Sequence, residues 1–180
     1  GILWGRYDLL ASLPAYKVRP SKDVPPYRWE TGTPAFELIA GIGGALDYLA
    51  SLGEGDTLRS RVVSPLQRMG AYERELTSHL LDVLEETPGV TIAGITGRAR
   101  LTGRVPTVIC AVSGQSPAET AARLADEGIF VWDGNYYAVE VMKALQREEE
   151  GMVRVGLAHY NTHDEIDRFG AALSRVARRG

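Results

Sequence analysis

Two stretches of this 180-residue chain carry residues suited to gripping an anion. The first is Arg28-Trp29-Glu30-Thr31-Gly32-Thr33 running into Pro34. A Gly-Thr pair followed by proline sets free backbone N–H groups, a hydroxyl and a helix N-terminus at one point, and that combination holds a phosphate. The plainer reading of Thr33 is a helix N-cap, with Pro34 at the first helical position. The second is Arg154, in the apolar run Met152-Val153-Arg154-Val155-Gly156-Leu157. A guanidinium there is costly to bury without an anionic partner, which is either a ligand or a structural carboxylate.

Other chemistry-bearing residues give less. His79 falls in a long helix, His159 just after the Arg154 strand and His163 at a helix start, without metal-ligand spacing to a third group. His159 is placed to contact a ligand or to fill a structural role. Asp133 and Asn135, beside Tyr136, lie in a loop that could line a site. Cys110 sits inside the apolar run Thr107–Val112 and reads as a small core residue. No Ser-His-Asp order, glycine-rich nucleotide loop or CxxC pair occurs.

The bulk composition is unremarkable: 44% hydrophobic, 24% charged, formal net charge −3, one cysteine. A charge this balanced lends no support to nucleic-acid or membrane-surface binding. Arg175, Arg178 and Arg179 read as a solvated helix end. The apolar stretches fall short of a membrane span, no signal-peptide pattern is present, and one cysteine fits a reducing cytoplasm. The opening Gly1-Ile2-Leu3-Trp4-Gly5-Arg6 reads as mid-strand, so a fragment or processed product is expected.

The elements that would position these residues follow from periodicity and caps. Residues 2–5 read as a short strand and Tyr7–Leu13 as a helix stopped at Pro14. Proline keeps 16–28 irregular. Ala35 to about Leu52 reads as a helix whose small segment Ala40–Ala45, with three glycines at roughly 1 kcal/mol each, calls for a close neighbour. Ser64-Pro65-Leu66-Gln67 reads as a capping box opening a long helix to about Glu86. Strands follow at Val90–Ile95, Thr107–Val112, Ile129–Trp132 and Met152–Leu157. Helices are expected after Ser116 up to Gly128, at Tyr137–Leu145, and after Thr162 with Ile166, Phe169, Leu173 and Val176 inward. The β-β-α-β-α-β-α order describes an α/β sandwich with helices on one face.

Four blocks, Gly1–Arg6, Arg28–Thr33 with its helix, Gly128–Ala138 and Arg154–Thr162, resemble in order the class V aminotransferases and cysteine desulfurases, which use pyridoxal 5'-phosphate (PLP). The resemblance implies the C-terminal part of a fold-type-I PLP-dependent transferase or lyase: residues 1–56 a remnant of the large PLP-binding domain, 57–88 a linking helical segment, and 89–180 a small C-terminal domain. It implies a homodimer with the site at the interface and an amino-acid substrate. Gly32 and Thr33 match the position that binds the partner subunit's cofactor phosphate. Arg154 matches the arginine that clamps the substrate α-carboxylate, with Asn135 and His159 as further substrate-side candidates.

The Schiff-base lysine of the family precedes the first block, and Lys17, Lys22 and Lys143 do not share its context. No catalytic residue is therefore assigned, and the chain is expected to be inactive alone. Aligned on the mobile desulfurase loop, Tyr137 stands at the sulfur-accepting cysteine and Trp132 where those enzymes often carry an arginine. A cysteine desulfurase-like branch that forms no persulfide is expected. A free-standing binding module, or one half of a split enzyme, remain alternatives.

Overall fold

The computed structural model describes residues 2–178. The chain forms two compact units, one up to Val62 and the other from Val63.

In the first unit, α1 (Tyr7–Ser12) is followed by a 3-10 turn at Tyr27–Trp29 and by α2 (Phe36–Ser51). Residues 2–5 form no strand, and Ile2, Leu3 and Trp4 are largely exposed. A strand needs a neighbour to satisfy its ladder, and none of the described residues pairs with this segment; Gly1 lies outside them. Helix α2 starts one residue later than its sequence implies, with Ala35 as N-cap and no side-chain cap, so Thr33 is not the cap. Around Gly41, Gly43 and Gly44 a Cβ would meet nothing within 4 Å. The close neighbour that the glycines call for is not part of this unit, where Phe36, Leu38 and Ile39 are also exposed.

Helix α3 (Leu58–Glu86) begins six residues before the expected capping box. Reciprocal bonds between Thr57 and Ser60 open it: Ser60 N–H donates to Thr57 Oγ1 at 3.1 Å, and Thr57 N–H to Ser60 Oγ at 3.0 Å. Pro65 is thereby internal, although proline removes one helical hydrogen bond.

In the second unit, β1 (Val90–Ala93), β2 (Thr107–Val112), α4 (Pro117–Asp126), β3 (Trp132–Gly134), α5 (Val139–Ala144), β4 (Met152–Gly156) and α6 (His163–Ala177) follow. The four strands form one antiparallel sheet in the order β1-β2-β4-β3. Strand β2 alternates buried and half-buried residues, so it is two-faced rather than buried throughout. Val108, Cys110, Val112, Val153 and Val155 point into a core with Leu76, Leu80, Leu81 and Leu84 of α3, Leu124 of α4, and Ile166, Phe169 and Leu173 of α6. Each fully buried leucine contributes roughly 2–3 kcal/mol of transfer free energy.

Other local signals read correctly. Ser116/Glu119 and Thr162/Glu165 both form complete capping boxes. Helix α4 ends in a Schellman arrangement: Gly128, at φ 71°, donates to Ala125 O and Ile129 N–H reaches Leu124 O. Strand β3 lies three residues beyond its expected start, because pairing with β4 fixes it: Trp132 faces Arg154, Asp133 faces Val153 and Gly134 faces Met152. The last basic side chains are not all free in solvent, since Arg175 pairs with Glu127; Arg179 lies outside the described residues.

One contact sets the geometry at the β3 end of the sheet. Gly151 has φ 71°, and a Cβ there would come within 2.2 Å of the Gly134 carbonyl carbon and oxygen. Gly151→Ala should destabilise the protein by at least about 2 kcal/mol. Gly103→Ala, where nothing lies within 4 Å, should stay within roughly 0.5 kcal/mol. Urea unfolding of both variants checks this; equal midpoints would refute the close approach.

Candidate functional site

The Arg28–Thr33 segment is held by its own first residues. Arg28 Nη1 donates to the Ala11 carbonyl, Trp29 Nε1 donates to the Leu10 carbonyl at 3.1 Å, and Ser21 Oγ donates to Tyr27 O at 2.8 Å. Arg28 and Trp29 therefore pin the segment to the C-terminal turn of α1. The sequence alone gives no sign of this role.

Gly32 and Thr33 then project into solvent. A Cβ on Gly32 would meet nothing within 4 Å. Because Thr33 does not cap α2, its hydroxyl is not taken up by the helix, and the first-turn N–H groups of α2 have no side-chain acceptor. Two of the three things an anion needs, donors and open space, are present. Glu37 in the first turn weakens the positive end of the helix dipole.

In the second unit the sheet places Arg154 on the face opposite the core. Val153 and Val155 are buried and Arg154 between them is exposed. The guanidinium thus avoids the desolvation that its apolar neighbours in sequence imply. The alternative of a structural ion pair also falls away: among the described residues no carboxylate lies within pairing distance of Arg154. Across the sheet its Cα partners are Ile109 on β2 and Trp132 on β3, and both residues share its face. The guanidinium carbon lies over the Tyr136 ring, 5.8 Å from its centroid, within cation–π range. The Tyr136 phenol donates to the Met152 carbonyl, and burial pushes its pKa up to about 12, so it stays a donor across the physiological range.

Of the residues singled out from sequence, Asn135 adjoins this cluster. Its Oδ1 accepts from Tyr137 N–H at 3.0 Å and its carbonyl from Ala138 N–H at 2.7 Å. The amide oxygen is therefore engaged by the loop. His159 sits in the loop beyond the end of β4, half-buried, its ring edge-on to Tyr160 at 5.2 Å. Asn161 shapes that loop by accepting from Ala158 N–H at 2.8 Å.

Sequence reasoning passed over Tyr136 except as a loop neighbour. It and Tyr137 both take left-handed backbone, at φ 47° and 62°, and nothing in two consecutive tyrosines announces that. Among the described residues no group of three or more His, Cys, Asp or Glu is arranged to hold a metal. His79 and His163 instead pair with Asp167 and Glu75, at 2.6 and 3.3 Å. No helix is long and apolar enough to cross a membrane among the described residues.

An exposed, unpaired arginine on an aromatic platform can read a planar carboxylate bidentately. Comparison with known proteins agrees with the fold that carries it. The family profile described as aminotransferase class V matches residues 1–169. A cysteine desulfurase of Serratia proteamaculans (strain 568) is 31% identical over 189 positions, covering 98% of this chain and 41% of that protein. One from Salmonella newport (strain SL254) is 34% identical over 154 positions, covering 85% of this chain and 33% of that protein.

Among solved structures, the apo cysteine desulfurase of Thermococcus onnurineus NA1 superposes with a TM-score of 0.69 at 25% identity, over 87% of this chain and 35% of that one. A cysteine desulfurase of Escherichia coli gives 0.70 at 22% identity over 97% and 41%, a likeness of fold. The chain thus spans about two-fifths or less of the length of these relatives. With the matched profile running from the first residue into α6, the chain belongs to the class V aminotransferase family.

Proposed function

We propose that the protein is the C-terminal portion of a PLP-dependent, cysteine desulfurase-like enzyme that acts on an amino acid, and that it supplies anion-binding groups rather than the covalent anchor. The observation that carries this reading is the unpaired, exposed guanidinium of Arg154 on the open face of the sheet. Its fork orients the substrate α-carboxylate, with the Asn135 amide hydrogens beside it and His159 as a further contact. The Gly32–Thr33 corner, with its free hydroxyl and room for close approach, fits a phosphate and would hold that of the cofactor across a homodimer interface. Bound PLP would supply an electron sink for the amino-acid carbon. The exposed apolar side chains of α2 support a first unit that buries them against further protein. That favours a part of a larger enzyme, or half of a split one, over a free-standing module.

The chain's lysines are three, and none serves as the anchor in this reading. Lys17 Nζ donates to the Ser21 carbonyl at 3.1 Å and Lys22 lies over the Tyr27 ring. Persulfide chemistry has no acceptor here either. Cys110 is the one cysteine and is fully buried, and burial raises its thiol from an ordinary 9.0 to about 12. A thiol held neutral does not attack sulfur. Tyr137, at the position of the desulfurase cysteine, offers an exposed phenol in its place.

Three outcomes test the reading. The purified chain mixed with PLP and cysteine or alanine should give no turnover above free cofactor, and a stoichiometric, borohydride-trappable adduct on Lys17, Lys22 or Lys143 would overturn it. Co-expression with a lysine-bearing large-domain segment should restore a yellow complex, in which Arg154→Ala raises KM for the amino acid roughly 10- to 100-fold, as expected for losing a charged hydrogen-bond pair.

Cys110 should resist iodoacetamide at neutral pH until the protein is unfolded. Because its folded-state pKa lies above the unfolded one, the stabilisation from the neutral thiol is whole below pH 9.0 and is lost as pH climbs toward about 12. Urea midpoints measured across that range should fall, and Cys110→Ala should flatten part of the decline, to which the raised Tyr136 phenol also contributes.

A further inference from the structure

The two left-handed tyrosines stand in a loop that is restrained from several sides. Gly134, at φ 95°, is pressed by Gly151. Asn135 closes the loop on itself through Tyr137 N–H and Ala138 N–H. The Tyr136 phenol is tied to the carbonyl of Met152, two residues before Arg154 on the same strand. Non-glycine residues adopt positive φ only where surrounding structure over-determines it, and such positions concentrate at functional sites. What these restraints deliver is one aromatic ring against one guanidinium, 5.8 Å from ring centroid to carbon.

We propose that Tyr136 is a positioning residue for Arg154, fixing the direction of the guanidinium before a carboxylate arrives; this rests on the reading of Arg154 given above. The contact has a property that a carboxylate partner would lack. An arginine held by an acidic side chain spends two of its five N–H donors on that partner. An arginine held by an aromatic ring is ordered through its charge and spends none. Arg154 therefore loses rotamer freedom in the empty protein while its whole donor fork stays available. Trp132, its cross-strand partner, and Ile109 on the other flank share its face, and neither side chain offers an acceptor that would compete for the fork. The site is preorganised for a planar anion, and the entropy of ordering a long side chain is not charged to binding.

The test uses the full chain labelled with 15N and follows the Arg154 Nε–Hε cross-peak, assigned by its loss in Arg154→Lys. Tyr136→Phe keeps the ring, and Tyr136→Asn removes it while tolerating the left-handed backbone. In the wild type and in Tyr136→Phe the Hε signal should lie upfield of the other exposed arginines through the ring current. In Tyr136→Asn it should rejoin them. Titration with L-alanine, read at the same peak, should give an affinity roughly 3- to 10-fold weaker in Tyr136→Asn, the equivalent of re-freezing one long side chain, and recovered in Tyr136→Phe.

A Tyr136→Asn protein whose Hε position and alanine affinity both match the wild type would overturn the proposal. If that variant fails to fold, the wild-type peak decides alone: an upfield Hε with a cross-relaxation signal to the Tyr136 ring supports the proposal, and an Hε among the other arginines overturns it. Should L-alanine move no Arg154 signal in the wild type, the carboxylate reading fails, and the variants still decide whether Tyr136 orders the side chain.

Discussion

Strand β4 governs this molecule through its two-residue period. Val153 and Val155 must enter the core beneath α3, α4 and α6, and a strand turns successive side chains to opposite faces. Arg154 is thereby driven outward by its neighbours' burial rather than by any attraction of its own. A shift of one residue in register would bury the guanidinium and expose two valines. The antiparallel pairing on both flanks, with β2 and β3, makes such a slip costly. The outward guanidinium and the core are thus two consequences of one alternation.

The same geometry explains why the surroundings of Arg154 are aromatic and aliphatic rather than acidic. Its cross-strand partners Ile109 and Trp132 share its face, and Tyr136 covers it from the loop that follows β3. A cation surrounded in this way keeps its charge unneutralised and its donors unspent, which is the electrostatic condition for recognising an anion from outside. The first unit shows a parallel economy. Arg28 and Trp29 use their own donors on α1 carbonyls, and the residues that follow, Gly32 and Thr33, are left uncommitted.

Much of this was legible before any coordinates. The capping boxes at Ser116 and Thr162 and the glycine stop at Gly128 are local hydrogen-bond arrangements written within six residues, so they are readable wherever a helix begins or ends at them. The apolar runs of β2 and β4 were equally clear. Two of the readings that changed depended on a distant partner, and two on a neighbouring helix start. Residues 2–5 have strand composition, but among the described residues no strand lies beside them. Strand β3 sits where β4 sets its register, beyond its most apolar residues. Helix α3 takes its start from Thr57 and Ser60, ahead of the expected box at Ser64, and runs through the proline that looked like a first turn. Thr33 lost its capping role because α2 begins at Phe36.

From the amino-acid order alone came the residue types able to grip an anion, the family they resemble, the caps of α4 and α6 with the glycine stop at Gly128, and the burial of Cys110. These follow from short-range chemistry: periodicity, capping and side-chain polarity act between neighbours. Only the folded structure decided that Arg154 faces outward without an acidic partner, that Tyr136 lies over it in left-handed backbone, and that Gly151 must approach Gly134. Those depend on which strands pair and in what register, and pairing is settled by the burial of side chains dozens of residues apart.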